Sequence, residues 1–268
     1  MTTPTRPDPR HPDQGPQHPH QPGSGRRRRP RLFTAFRAEH GLLLRAVTTR
    51  GRMSAILLLA GISIFAALMV NMSDPWNTLD AGVDYVNSNL STLIPVATLV
   101  VGSATLGTLR DDGSLVYLWL RPVPSWLHVL SAWAATVTVI LPLVGAPVLL
   151  ATAMIHSEPD LMAATLVAGL LGITTYSALA VMIGVRFNRA LPLGLVYILI
   201  WEGFIASAGD TAAKLSVRGY LRTILSDRVG VDLDLAVVSP TTAIVVPIVV
   251  TAVALAYASH RLANTDVP

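Results

Sequence analysis

Met53-Ser-Ala-Ile-Leu-Leu-Leu-Ala-Gly-Ile-Ser-Ile-Phe-Ala-Ala-Leu-Met-Val-Asn71 runs for 19 residues without a charge. A bilayer core of ~30 Å needs about 20 such residues at 1.5 Å of rise each, so this segment reads as a membrane-crossing helix. Five further apolar runs follow, at about 90–109, 126–155, 161–185, 190–208 and 240–260. The third holds Pro142 and Pro147, which predict a kink or tilt. Ser91, Ser125 and Ser239 stand where N-caps of the second, third and sixth runs belong. Hydrophobic residues make up 51% of the 268 and charged residues only 13%, too much apolar surface for a soluble body of this size to hide. The fold class expected is an all-α integral membrane protein with six transmembrane helices.

The ends are of a different character. Residues 1–31 are a Pro-, His- and Arg-rich tail closing on Arg26-Arg27-Arg28-Arg29-Pro30-Arg31, with too few apolar residues to offset the entropy of ordering. It expects disorder, and it lacks the apolar stretch of a secretory signal. Leu32 to Arg52 mixes apolar and basic residues. Leu32, Phe33, Phe36, Leu43, Leu44 and Val47 share a broad helical face, with Arg37, Arg45 and Arg50 outside it. That pattern predicts an interfacial amphipathic helix held to membrane lipids, not a nucleic-acid surface. The membrane-embedded body is then 32–262, with 263–268 as a short tail.

Arginine placement sets the sidedness. With the N-terminus inside, the inner segments collect eleven basic residues before the first run, then Arg110, Arg121, Arg186, Arg189 and Arg261. The outer loops 72–89 and 156–160 carry none. The last outer segment, 209–239, balances Lys214, Arg218, Arg222 and Arg228 with Asp210, Asp227, Asp232 and Asp234. Both termini are expected in the cytoplasm. The absence of cysteine excludes disulfides and thiolate sites, and 19 arginines against the single Lys214 suit a high-GC bacterial genome and a bacterial plasma membrane.

Motifs for soluble chemistry are missing. The sole lysine follows Ala213, so there is no Gly-Lys-Ser/Thr phosphate loop, and no His-Glu-x-x-His, Gly-x-Ser-x-Gly or dinucleotide fingerprint occurs. The inner loops are too short for a catalytic domain. The most informative inner segment is Arg110-Asp111-Asp112-Gly113-Ser114-Leu115-Val116-Tyr117-Leu118-Trp119-Leu120-Arg121-Pro122-Val123-Pro124. Asp111 or Asp112 suits the start of a short helix, Leu115, Leu118 and Trp119 form an apolar patch, and Arg121 suits its end before Pro122 stops it. A stiff helix of this kind either joins two spans or docks a cytoplasmic partner.

The acidic residue, Gly113-Ser114-Leu115, the apolar helix and the Arg121-Pro122-Val123 exit resemble the coupling region of type-2 ABC exporter permeases, with Ser114 where that family has Thr. Trp201-Glu202-Gly203 and the Leu215-Ser216-Val217-Arg218 stretch are similar to the same family, and the resemblance covers about residues 35–262. It implies a transport subunit rather than an enzyme, working as a dimer with a second permease subunit, a homodimer being the favoured arrangement and a heterodimer staying open. Two copies of a separate cytoplasmic ATPase would bind ATP and Mg, leaving this chain without a cofactor or metal. Asp111, Asp112, Gly113, Leu115, Leu118, Trp119 and Arg121 would couple the two.

Glu202 is the acid set well inside an apolar run, six residues before Ala208 and so about 9 Å below the outer end. Two readings stand: a structural carboxylate, protonated or bonded to another span, or a polar group at an outer gate with Trp201, Arg218 and Arg222. Lys214, Arg218 and Arg222 recur every four residues opposite Leu215, Tyr220, Leu221, Ile224 and Leu225, as in a helix lying in the outer interface or dipping back into it. Readings from other classes are an intramembrane lipid-modifying enzyme, which would need more aspartates than Asp111-Asp112, and an ATP-independent secondary transporter.

Overall fold

The computed structural model describes residues 32–111, 123–187, 189–205, 209–233 and 238–264. Every regular element among them is a helix. Five are long and apolar enough to cross a membrane: Arg50–Met72, Thr78–Gly107, Ser125–Ile155, Pro159–Arg186 and Pro240–Ala263. Such a set fits a multi-pass membrane protein. The expected fifth run, at 190–208, is described only as a shorter apolar helix over Ala190–Phe204.

In chain order, α1 (Leu32–Val47) precedes α2 (Arg50–Met72). Next, α3 (Thr78–Ser88) passes through a π-helical turn, Asn89–Leu93, into α4 (Ile94–Asp111). Helix α5 (Ser125–Ile140) passes through a second such turn, Leu141–Gly145, into α6 (Ala146–Ile155). Then come α7 (Pro159–Arg186) and α8 (Ala190–Val196), the latter continuing as a π-helix over Tyr197–Ile205. The last elements are α9 (Asp210–Ala213), α10 (Val217–Val229) and α11 (Pro240–Ala263).

The second crossing helix starts twelve residues earlier than its apolar run, at Thr78 rather than 90. Asn77 caps it by accepting from the amides of Leu79 (3.1 Å) and Asp80 (3.3 Å). Hydropathy misses α3 because Asp80, Asp84 and Asn87 interrupt it, with Asn89 just beyond its end. Its burial is polar as well as apolar: Ser63 of α2 donates to Asn89 Oδ1 (2.5 Å) and bonds the Tyr85 hydroxyl (2.8 Å). Ser91 consequently lies inside a helix, and Ser125 is a first helical residue with Pro124 in the cap position. Ser239 does cap α11, accepting from the Thr242 amide at 3.4 Å. Pro142 sits in the π-turn between α5 and α6, where a wider turn accommodates the missing amide.

Helix α7 lies at the centre, packed against α4, α5, α10 and α11. Small residues let it approach α4 closely: a Cβ on Gly184 would fall 2.7 Å from the Ser103 carbonyl oxygen, and one on Gly102 would fall 2.8 Å from Ala180 Cβ. Backbones this near gain dispersion that lipid cannot supply. Against α11, Thr175 donates to the Pro247 carbonyl (3.2 Å), and Thr251 bonds both (2.8 Å to that carbonyl, 3.2 Å to Thr175). By contrast, α2 and α11 leave Leu57, Leu58, Phe65, Val249 and Val253 exposed, the surfaces that acyl chains would cover.

The amphipathic helix departs from its expected face. The buried stripe of α1 is Glu39, Leu43 and Val47, whereas Leu32 and Phe33 are 55% and 74% exposed. Leu43 packs with Leu106, Val129, Ala132 and Leu262, and the Glu39 carboxylate pairs with His128 of α5. The tail 1–31 and residues 265–268 fall outside the described residues.

Candidate functional site

The polar centre of the bundle is Glu202. Its side chain is 1% exposed and receives four hydrogen bonds. The Tyr197 hydroxyl and Val217 amide donate to Oε1 at 2.8 and 3.0 Å. The Tyr176 hydroxyl and Arg218 amide donate to Oε2, both at 3.0 Å. Four donors and no acceptor face it, the complement of a carboxylate.

Two of those donors are the first amides of α10. A helix begins with unsatisfied amides and a partial positive charge, both costly in an apolar interior. Glu202 satisfies Val217 and Arg218, while Ser216 Oγ accepts from Gly219 at 3.0 Å and donates to the Ala213 carbonyl at 2.9 Å. The chain doubles back so tightly that a Cβ on Gly219 would sit 2.5 Å from the Ala213 carbonyl oxygen. Gly230, at φ 71°, ends the helix in the left-handed region that favours glycine.

The position of this node differs from the sequence expectation. Tyr176 is seventeen residues from Pro159 and ten from Arg186, so about 26 Å and about 15 Å along α7. Glu202 therefore stands level with the middle of α7, not near one end. From there α10 runs toward the Pro159 end: Leu221 reaches the position where a Cβ on Gly172 would be 3.0 Å away, and Arg222 Nε donates to Asn87 Oδ1 of α3 at 2.8 Å. Helix α8 approaches the same level from the Arg186 end, with Ile198 packed on Leu99 and Ala180. Residues 190–205 and 217–229 thus form two half-helices that succeed each other along α7 and meet at Glu202.

Of the predicted residues, Trp201, Glu202 and Arg218 come together here. Trp201 Nε1 donates to the Leu215 carbonyl at 3.4 Å, and Arg218 Nη1 donates to the Glu202 carbonyl at 3.4 Å. Arg222 lies one turn further along α10. The expected basic stripe is not a solvated face, because Arg218 and Arg222 are half-buried and Lys214 alone of the three is exposed. Leu215, assigned to the apolar face, is 67% exposed, whereas Leu221, Ile224 and Leu225 are buried. Of the coupling residues, Asp111 ends α4, and Asp112, Gly113, Leu115, Leu118, Trp119 and Arg121 lie outside the described residues.

Sequence reasoning missed two members of this centre, Tyr176 and Tyr197, and also the Glu39–His128 pair. The available signal was a carboxylate in an apolar run, which demands donors, but tyrosines in apolar helices do not announce their partners. Among the described residues no group of three His, Cys, Asp or Glu side chains is placed to hold a metal ion. An apolar cleft of about 200 Å³ opens between Leu141–Ala146 and Thr165–Ile173; its Thr165 hydroxyl is already bonded to the Leu161 carbonyl, at 2.7 Å. The chain matches no family model, and no curated protein is significantly similar to it.

Proposed function

We propose that the chain is the membrane-spanning subunit of an ATP-driven exporter of the type-2 ABC permease kind. In this reading it crosses a bacterial plasma membrane six times with both termini inside, the fifth crossing being the pair of half-helices joined at Glu202. Two copies line the substrate path, and two cytoplasmic ATPase subunits supply the stroke through residues 111–121. The observation that carries the reading is the coincidence of sequence resemblance with a built device. Trp201-Glu202-Gly203 and Leu215-Ser216-Val217-Arg218, similar to that family in sequence, are the two stretches that meet at the centre of the bundle.

A crossing made of two half-helices has a joint where a continuous helix has none. Movement imposed at the α4–α5 connection reaches α7 through the tight Ser103–Gly184 contact, and α7 carries Tyr176 to the joint. Glu202 is then the pin of the joint and not a group lining its mouth.

The test is purification of the tagged chain from its native host in mild detergent, with mass spectrometry of what accompanies it. The expected result is a stoichiometric soluble subunit bearing a P-loop, lost on Leu118→Asp or Trp119→Asp. A stable oligomer free of any ATPase across several detergents would overturn the proposal.

A further inference from the structure

Helix α1 presents two chemically distinct faces. Inward, Glu39, Leu43 and Val47 are buried. Outward, Thr34, Arg37, Ala38, Leu42 and Arg45 are exposed, and Gly41 between them has no atom within 4 Å of where a Cβ would stand. Arg37 and Arg45 are eight residues apart, about 12 Å along the helix, on that open side. Neither makes an ion pair among the described residues. Between Asp13 and Asp74 the sequence has one acid, Glu39, and it is turned inward onto His128. Among the described residues the outward positive charge has no acidic counterpart.

The neighbours of those arginines decide what covers them. Phe33 (74% exposed) and Leu42 (42% exposed) flank the same side, and two residues, Thr48 and Thr49, separate α1 from the membrane-crossing α2. Apolar side chains beside guanidinium groups at a membrane entry suit acyl chains below and phosphates above; guanidinium matches phosphate oxygens in a two-pronged geometry.

We infer that the outward face of α1 binds anionic phospholipid headgroups through Arg37 and Arg45. The bound lipid clamps α1 onto α5, where the Glu39–His128 pair and the His40–Thr138 hydrogen bond (3.2 Å) form the seam. The inference needs only the membrane placement and not an ATPase partner.

The test uses the full chain in nanodiscs of phosphatidylcholine, with and without phosphatidylglycerol. Thermal midpoint and phosphatidylglycerol retained in native mass spectrometry are the readouts. Phosphatidylglycerol should raise the wild-type midpoint. Arg37→Gln with Arg45→Gln should abolish most of that rise and weaken lipid retention about fivefold per arginine. The double variant should match wild type in phosphatidylcholine alone, showing that it folds. A variant with Arg26, Arg27, Arg28 and Arg29 all changed to Gln should keep the rise. An undiminished rise in the α1 variant, or a rise lost only in the tail variant, would overturn the site.

Discussion

Removing the Glu202 carboxylate strands four donors at once. In Glu202→Ala two α10 amides and the hydroxyls of Tyr176 and Tyr197 face an unfilled space, and each unsatisfied buried group costs about 1–3 kcal/mol before relaxation. The expected outcome is a large fall in thermal midpoint, read by fluorescence-detected size exclusion. Glu202→Gln retains one acceptor oxygen but turns an amide NH2 toward donors, so it should fall between. Tyr197→Phe loses one hydrogen bond and should cost about 1 kcal/mol. An Ala variant as stable as wild type would remove Glu202 from its role as the pin. Sequence alone exposed Glu202, because a carboxylate in an apolar run is conspicuous. Its depth was misjudged, because distance was counted from an assumed helix end at Ala208. Glu39 escaped notice for the opposite reason: on an amphipathic helix an acid is unremarkable until its partner, 89 residues away, is known.

Elements were legible to the extent that hydropathy governs them. The first, third, fourth and last long helices begin and end within three residues of the apolar runs. Helix α3 and the α8–α10 joint were not, since polar bonds hold them: Ser63 to Asn89 in one and Glu202 to α10 in the other. Close packing was legible only as composition, since small residues recur throughout these runs, and the structure separates them. The partner of Ser103 is Gly184, where any Cβ meets a backbone oxygen that cannot swing aside. Gly184→Val should force α4 and α7 apart and cost about 1–3 kcal/mol. Gly169→Val, on the same helix with nothing within 4 Å, should stay near neutral or gain slightly from helix propensity and added lipid contact. Midpoints of the two variants, measured side by side, separate close helix approach from a general intolerance of α7 to β-branched residues. Equal losses at both sites would contradict the packing described.

At the scale of the whole molecule, the path of residues 190–229 decides where the C-terminus lies. If α8 and α10 succeed each other along α7, the segment crosses once, and Pro240–Ala263 returns the chain to the side of α1. If they folded back to their starting side, α11 would put the C-terminus opposite. The packing favours succession: Ile198 lies on Ala180, Glu202 on Tyr176 and Leu221 on Gly172, a steady march toward Pro159. A chain without cysteine makes the test direct, because each introduced thiol is the sole one. Ser157→Cys and Asp232→Cys, both at exposed positions, should react with an impermeant maleimide in intact cells. Thr48→Cys, Arg189→Cys and Asn264→Cys should react only after permeabilisation, as the arginine distribution requires. Labelling of Asp232→Cys with the inner set would make 190–229 a hairpin and place Asn264 outside, which the charge distribution opposes. Labelling in the expected pattern would mean that the positive-inside bias and the Glu202 cap on α10 specify one topology from independent parts of the chain.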